Sequence, residues 1–159
     1  MNILVVGGAG YIGSHMVRLL TKNGHQVFVL DNLSTGFSQS VKSGKLIIGD
    51  MADSGLVKSI LGDNNVDAVM HFAAHALVGE SVTNPAKYYQ NNVTATLSLL
   101  ESMRHCNVRK LVFSSTCATY GIPEIVPINE QEKQQPVNPY GFTKLVCEQA
   151  MEDLSLIHI

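Results

Sequence analysis

The chain has 159 residues, 45% of them hydrophobic and 15% charged, with a formal net charge of −2 at pH 7. That is enough chain for one α/β domain that buries most of its apolar surface. The near-neutral balance without a long basic run argues against nucleic acid as a partner, and no apolar stretch approaches the ~20 residues of a membrane span.

Asn2 to Val6 is a short apolar run rich in β-branched residues and reads as a first strand. Gly7-Gly8-Ala9-Gly10-Tyr11-Ile12-Gly13 follows at once. Ser14 to Asn23 has helix formers with an apolar face of Val17, Leu19 and Leu20, and Gly24 suits the stop. Val27 to Leu30 is a second buried strand, closed by Asp31. The glycines fit the dinucleotide fingerprint as Gly8-x-Gly10-x-x-Gly13 or, with wider spacing, as Gly7-x-x-Gly10-x-x-Gly13. The first permits a sharp turn, the second lets a pyrophosphate approach the backbone, and the third lets helix and strand pack closely. The helix start offers unpaired N–H groups and about half a positive charge to the phosphates. Asp31 lies about 20 residues beyond Gly10, where a carboxylate accepts hydrogen bonds from the adenine ribose. It would repel a 2′-phosphate, and Asn32 to Ser38 holds no Arg or Lys to accommodate one. The pattern therefore predicts NAD rather than NADP.

Asn32-Leu33-Ser34-Thr35-Gly36 is a loop over the adenosine site. Lys45 to Asp50 reads as a third strand with an acid at its end, and Asp53 as the cap of a helix burying Leu56, Val57, Ile60 and Leu61. Asp67 to Phe72 is a fourth strand, Val78 to Arg104 a helical region interrupted at Asn84-Pro85, and Val108 to Ser115 a fifth strand. Gly121 to Pro136 is a proline-dotted polar loop. Asn138-Pro139 starts a helix, with Pro at its first position, running to about Leu154. Strands alternating with helices predict an α/β doubly wound parallel sheet of the Rossmann type, with its ligand crevice at the carboxyl ends of the strands. Asp31, Asp50, Phe72-Ala73-Ala74 and Ser114-Ser115-Thr116 all fall at those ends.

Tyr140 and Lys144 are four apart on the last helix and so share a face. Tyr-x-x-x-Lys alone is a weak signal. It gains weight from following a hydroxyl-rich strand end in a chain with a nicotinamide site. Bringing a phenol from ~10 to ~7 requires about 4 kcal/mol. An ammonium ~5 Å away supplies roughly 3 kcal/mol at an effective dielectric of ~20. The cationic nicotinamide ring could supply the rest. A Thr116 hydroxyl could orient a substrate alcohol or pass its proton along. His71-x-x-x-His75 has the spacing of a helical zinc pair, but it sits at a strand end without a third ligand and reads as packing, with no metal expected. Cys106, Cys117 and Cys147 are odd in number and widely spaced, giving neither a disulfide framework nor a zinc pattern, and the amino terminus lacks a secretory leader's pattern. A cytoplasmic location is expected.

Gly7-x-x-Gly10-x-x-Gly13, Asp31-Asn32, Ser114-Ser115-Thr116 and Tyr140-x-x-x-Lys144 together resemble the extended short-chain dehydrogenase/reductase superfamily. Longer strings narrow the resemblance to its UDP-hexose 4-epimerases: Gly7 through His15, Val78-Gly79-Glu80-Ser81, Tyr88-Tyr89-x-Asn91-Asn92-Val93 and Asn138-Pro139-Tyr140-Gly141. It runs from Met1 to about Asp153 and covers the amino-terminal half of such an enzyme. The resemblance implies a transient oxidation of a UDP-sugar such as UDP-glucose or UDP-galactose at C4, with NAD tightly held. It makes Tyr140 the base at the sugar 4-hydroxyl, Thr116 its neighbour at the substrate, and Lys144 the residue that holds the nicotinamide ribose and tunes the tyrosine. It implies cofactor contacts at Gly7, Gly10, Tyr11, Ile12, Gly13, Asp31, Asn32, Leu33, Ser34, Thr35, Gly36, Asp50, Met51, Phe72, Ala73, Ala74, His75, Ala76 and Asn91, besides Tyr140 and Lys144. It also implies a homodimer in the full-length parent. Many relatives carry a lysine where Ala76 stands.

Leu154-Ser155-Leu156-Ile157-His158-Ile159 departs from the family and matches a translated sequencing adapter (CTG TCT CTT ATA CAC ATC). Residues 1–153 are thus expected to be the NAD-binding domain with its Tyr-x-x-x-Lys, and 154–159 a non-native tail. The expected domain is truncated, with the substrate domain missing and turnover weak or absent. Two other readings stand beside the epimerase. A nucleotide-sugar 4,6-dehydratase would carry Asp-Glu after the Thr, where this chain has Cys117-Ala118. A non-catalytic NAD-binding sensor would have no need of Tyr140, Lys144 and Thr116.

Overall fold

The computed structural model describes residues 1–157, with side chains as far as Ser155. In chain order the elements are β1 (Asn2–Val6), α1 (Tyr11–Lys22), β2 (Gln26–Asp31), β3 (Lys45–Ile48), α2 (Ser54–Asp63), β4 (Ala68–His71), α3 (Val78–Thr83), α4 (Pro85–Tyr88), a π-helical turn (Tyr89–Thr94), α5 (Ala95–His105), β5 (Leu111–Phe113) and α6 (Pro139–Ile157). Short 3-10 turns lie at Ser38–Ser40 and Cys117–Thr119. The chain divides into two compact units: Met1–Ala74 with Ser98–Ser114, and His75–Leu97 with the chain from Ser115 onward.

The first unit is a five-stranded parallel sheet of order β3-β2-β1-β4-β5, the α/β arrangement expected of a Rossmann-type domain. Strand order reverses beside β1, the switch point at which such sheets bind ligands. Side chains alternate across a strand, so both faces of β1 must be covered if all its residues are apolar. One face carries Ile3, Val5, Val27 and Val29 packed with Val17 of α1, with Leu20, Val41 and Leu46 at the margin. The other carries Leu4, Val6, Phe28 and Leu30, all 3% exposed or less. A Cβ built on Gly49 would meet Leu30 and Leu56, which places α2 on that side. The chain from Ser98 onward is tied to α2 and the turn before it: the Ser98 hydroxyl donates to the Ala52 carbonyl at 3.1 Å, and the Cys106 thiol, just past α5, to that of Lys58 at 3.8 Å. Each fully buried valine or leucine in these layers contributes roughly 1.5–3 kcal/mol over an exposed one.

Three departures from the sequence reading have a clear local reason. The first helix begins at Tyr11, before Ser14, because Gly10 in extended conformation is its N-cap and its carbonyl already accepts from the Ser14 N–H at 3.0 Å. The fifth strand is confined to Leu111–Phe113. Asn107, at φ 56°, ends α5, and the Val108 N–H returns to the Met103 carbonyl as part of that helix stop. The stretch expected as one helix broken at Asn84-Pro85 is broken there and also opens into the π-helical turn at Tyr89–Thr94.

The second unit holds α3, α4, the π-helical turn, residues 115–138 and α6. Asn138 caps α6, its side-chain oxygen accepting from the Gly141 N–H at 2.8 Å. Pro139 takes the first helical position, where its missing N–H has no cost. The helix continues through Ile157, so residues 154–157 of the expected tail extend it, and His158 and Ile159 lie outside the described residues. Among the described residues no helix is long and apolar enough to cross a membrane.

Candidate functional site

In the first unit the glycines divide their duties. Gly7 has φ 79°, its N–H donates to the Leu30 carbonyl at 2.8 Å, and a Cβ there would lie 2.5 Å from the Ala73 nitrogen. A Cβ on Gly13 would collide with the Gly7 carbonyl oxygen, and one on Gly8 would meet Val29 in the core at 2.6 Å. Gly10 is different: the nearest atom to its virtual Cβ is the Gly7 oxygen at 3.4 Å. Gly7 and Gly13 are therefore required by the fold, whereas Gly10 keeps an open face at the uncapped start of α1. Of the two fingerprint spacings, the wider one beginning at Gly7 describes the turn. Its N–H groups and helix dipole suit a pyrophosphate.

Asp31, at the end of β2, accepts from the Ala9 N–H at 2.9 Å through one oxygen and from the Leu33 N–H at 2.8 Å through the other. A carboxylate oxygen has two acceptor positions, so both still have capacity for a ribose hydroxyl. Asn32 donates to Asp50 at 2.8 Å, and Asp50 also accepts from the Ala52 N–H at 2.9 Å. The Phe37 N–H donates to the Ala9 carbonyl at 3.1 Å, and a Cβ on Gly36 would lie 2.8 Å from the Ala9 backbone. The segment Asn32 to Gly36, with Ser34 and Thr35, is thereby laid over the glycine turn. Met51 is buried at 5% exposure, and Phe72, Ala73 and Ala74 follow β4. These residues fit a dinucleotide by the room left at Gly10 and the spare acceptors of Asp31. Asp53 caps α2, accepting from the Leu56 N–H at 3.0 Å.

The second unit assembles around Asn92 on the π-helical turn, 2% exposed. Its side-chain oxygen accepts from the His75 N–H and from the Asn91 amide, both at 2.9 Å. Its amide donates to the His75 carbonyl at 3.0 Å and to the Thr143 hydroxyl at 3.2 Å, and its own carbonyl accepts from the Cys147 thiol at 3.1 Å. Asn92 so fixes the His75-Ala76 segment and α6 on one centre. The sequence reading singled out Asn91 instead. The signal for Asn92 is weak, since it falls four residues after Tyr88 and four before Thr96 in a buried stripe that is itself partly polar.

Tyr140 sits in the first turn of α6. A Cβ on Gly141 would strike the Ala118 carbonyl oxygen, so this glycine lets the 3-10 turn after Thr116 lie directly against that helix turn. The Thr116 hydroxyl accepts from the Ala118 N–H at 3.2 Å. Tyr88, fully buried, meets the Tyr140 ring edge-on with centroids 6.5 Å apart. Its hydroxyl accepts from the Leu77 N–H at 3.1 Å, and it bonds to the Leu77 carbonyl at 2.7 Å and Glu80 at 2.9 Å. Burial, and then the Glu80 hydrogen bond, push the Tyr88 phenol above its ordinary range, so it stays neutral. Lys144, one turn from Tyr140, is 3% exposed, and burial lowers its pKa from 10.5 to about 8, against the opposing pull of Cys147 and Glu148. At pH 7 it is still mostly an ammonium. Glu148 in turn accepts from the Ser115 hydroxyl and from the Gln134 amide, the latter at 2.7 Å.

His71 is buried at the end of β4, its ring 5.4 Å from that of Phe113. Burial and the Lys87 charge lower the pKa of His75. Among the described residues no group of three or more His, Cys, Asp or Glu side chains could hold a metal ion.

A parallel sheet with a glycine turn after its first strand and an acid closing its second defines a dinucleotide-binding α/β protein. The chain belongs to the NAD dependent epimerase/dehydratase family, whose pattern matches residues 3–156. UDP-glucose 4-epimerase of Lactobacillus helveticus is 55% identical over 152 residues, which cover 95% of this chain and 46% of that protein. The crystal structure of UDP-glucose 4-epimerase from Brucella ovis in complex with NAD is 49% identical, with a TM-score of 0.96, over 98% of this chain and 48% of that one. The Bifidobacterium longum enzyme in complex with NAD+ and UDP is 37% identical with a TM-score of 0.94, over 99% of this chain and 50% of that one. The chain spans about half the length of the relatives it matches.

Proposed function

We propose that this chain is the NAD-binding and proton-transferring half of a UDP-hexose 4-epimerase that interconverts UDP-glucose and UDP-galactose through a 4-keto sugar. The observation that carries the reading is the first turn of α6, where Tyr140 stands one helical turn from a buried Lys144 whose pKa lies at about 8. The glycine turn and the α1 amino terminus would hold the pyrophosphate, Asp31 the adenine ribose, and Lys144 the nicotinamide ribose. NAD, when bound, supplies reversible acceptance of the C4 hydride. Tyr140 takes the proton from the sugar 4-hydroxyl as its carbon is oxidised and gives it back to either face's product. The Lys144 ammonium lowers the energy of the tyrosinate, and the Thr116 hydroxyl orients the sugar oxygen. Edge-on packing against neutral Tyr88 holds the Tyr140 ring without adding a second charge. Cys117 and Ala118 offer no acid or base to expel water, which weighs against dehydration. By themselves these 159 residues would bind NAD and turn over weakly or not at all.

The test is product analysis with UDP-galactose and NAD in the intact protein that carries this chain, wild type against Tyr140→Phe. The expected result is UDP-glucose from the wild type, and loss of turnover with NAD affinity within about twofold in the variant. A 4-keto-6-deoxy product would overturn the epimerase assignment, and unchanged turnover would remove Tyr140 as the base.

A further inference from the structure

Within the second unit, Tyr140, Lys144 and Glu148 follow one another at intervals of four along α6 and so share one side of it. Glu148 is the half-buried end of that row. Both of its carboxylate oxygens are used: one accepts from the Ser115 hydroxyl and the other from the Gln134 amide at 2.7 Å. Ser115 directly precedes Thr116. The stretch from Thr116 onward is fastened to itself, the Thr116 hydroxyl accepting from the Ala118 N–H at 3.2 Å and the Thr119 hydroxyl donating to the Thr116 carbonyl at 2.9 Å. It meets the first turn of α6 where Gly141 lies against the Ala118 carbonyl. The bond from Ser115 to Glu148 holds the other side of Thr116 about two turns further along the same helix.

A Lys and a Glu four apart on a helix surface ordinarily gain little from each other, because water screens both charges. Lys144 is different, being 3% exposed. Cys147 and Glu148 are the groups whose charge favours its ammonium. Burial raises the pKa of the Cys147 thiol, so it is neutral at pH 7 and leaves the negative charge to Glu148. The elements packed against α6 carry other ionisable groups. Glu80 of α3 is taken up by Lys87 of α4 at 2.6 Å, Tyr88 of α4 is neutral, and Tyr89 and Cys117 are exposed. We propose that Glu148 is a positioning residue: its carboxylate clasps the Thr116 segment to α6 and sets a negative charge one turn from the Lys144 ammonium. Its part in catalysis rests on the epimerase reading above, while its effect on Lys144 stands without that reading. Charge and clasp are separable, because a glutamine still offers Ser115 an acceptor oxygen, and removal of the Ser115 hydroxyl leaves the charge in place.

The experiment compares wild type with Glu148→Gln and Ser115→Ala. The Lys144 titration is followed by NMR of the protein labelled with carbon-13 at the lysine Cε, without cofactor, its signal assigned through Lys144→Met. Turnover of UDP-galactose with NAD is measured against pH in the intact protein that carries this chain. In Glu148→Gln the proton affinity of Lys144 should fall about threefold or more, and the alkaline limb of kcat should move to lower pH. In Ser115→Ala the proton affinity should stay within about twofold of wild type, while kcat falls about fivefold or more and KM changes less. Ser115 is exposed and Glu148 half-buried, so both variants should keep the fold, read by far-ultraviolet circular dichroism. A Lys144 titration unchanged in Glu148→Gln, or moved equally by Ser115→Ala, overturns the charge role, and wild-type kcat in Ser115→Ala overturns the clasp. Should the intact wild type yield no UDP-glucose, the epimerase reading fails, and the Lys144 titration by itself then decides the effect of Glu148.

Discussion

Replacing Lys144 with Met should stabilise this protein while removing its chemistry. The side chains are similar in length, but Met carries no charge into the interior. Lys144 is 3% exposed, and its pKa falls from 10.5 to about 8 on folding. That gap corresponds to about 3 kcal/mol of unfavourable free energy for keeping the ammonium buried at pH 7. Losing the polar interaction that Lys144 makes gives back about 1 kcal/mol. The net gain for the variant is about 2 kcal/mol at pH 7. The pH dependence has a definite sign. Between about 8 and 10.5 the unfolded chain binds more protons than the folded one, so wild-type stability rises with pH over that window. Below it the penalty is fully present, and by pH 10 it has fallen to about 1 kcal/mol. Titrations elsewhere in the chain cancel in the difference between the two proteins. The assay is urea unfolding of wild type and variant, followed by far-ultraviolet circular dichroism at pH 7 and pH 10. A variant less stable than wild type at pH 7, or a stability difference that stays constant to pH 10, would refute the buried-ammonium argument. If the proposed epimerase reading holds, the same substitution should abolish that turnover in the intact protein, an exchange of stability for function often seen at active sites.

Gly10→Ala and Gly13→Ala should separate binding from folding. The first has room for a Cβ, and should keep its stability within about 1 kcal/mol yet weaken NAD about tenfold or more by obstructing phosphate approach, read by fluorescence titration. The second collides with the Gly7 carbonyl and should lower the melting temperature by several degrees or more. Equal melting temperatures would contradict this division of duties. Asn92→Ala leaves the His75 backbone groups unpaired and should cost about 3 kcal/mol in chemical denaturation, whereas Asn91→Ala should cost less than about 1 kcal/mol. Similar losses for both would remove Asn92 as the organising centre.

Much of the cradle was legible because its signals are local. A β-branched run, glycines at fixed offsets and an acid closing the next strand are set by backbone sterics and nearest neighbours. The Asp53 cap and the Pro139 start were readable on the same ground. The π-helical turn was not, since its marker is the burial of one asparagine. Asn92 finds partners 17 and 51 residues away in the chain, and no window of sequence contains them all. Asp31 was read as a ribose ligand, while its bonds to the Ala9 and Leu33 N–H groups, which fasten the turn itself, emerged only from the fold.

The amino-acid order alone thus decided the alternating strand and helix pattern, the glycine turn, the acid after the second strand, and a Tyr and Lys on one helical face. These follow from periodicity and backbone freedom, which act over a few residues. Tertiary structure decided which of those groups lose their water. Burial sets Lys144 at about 8 and closes Asn92 into a network, and packing brings Ser115 and Gln134 to Glu148 from separate segments. Desolvation and electrostatic potential are sums over neighbours in space, and chain order does not fix those neighbours until the sheet and helices have packed.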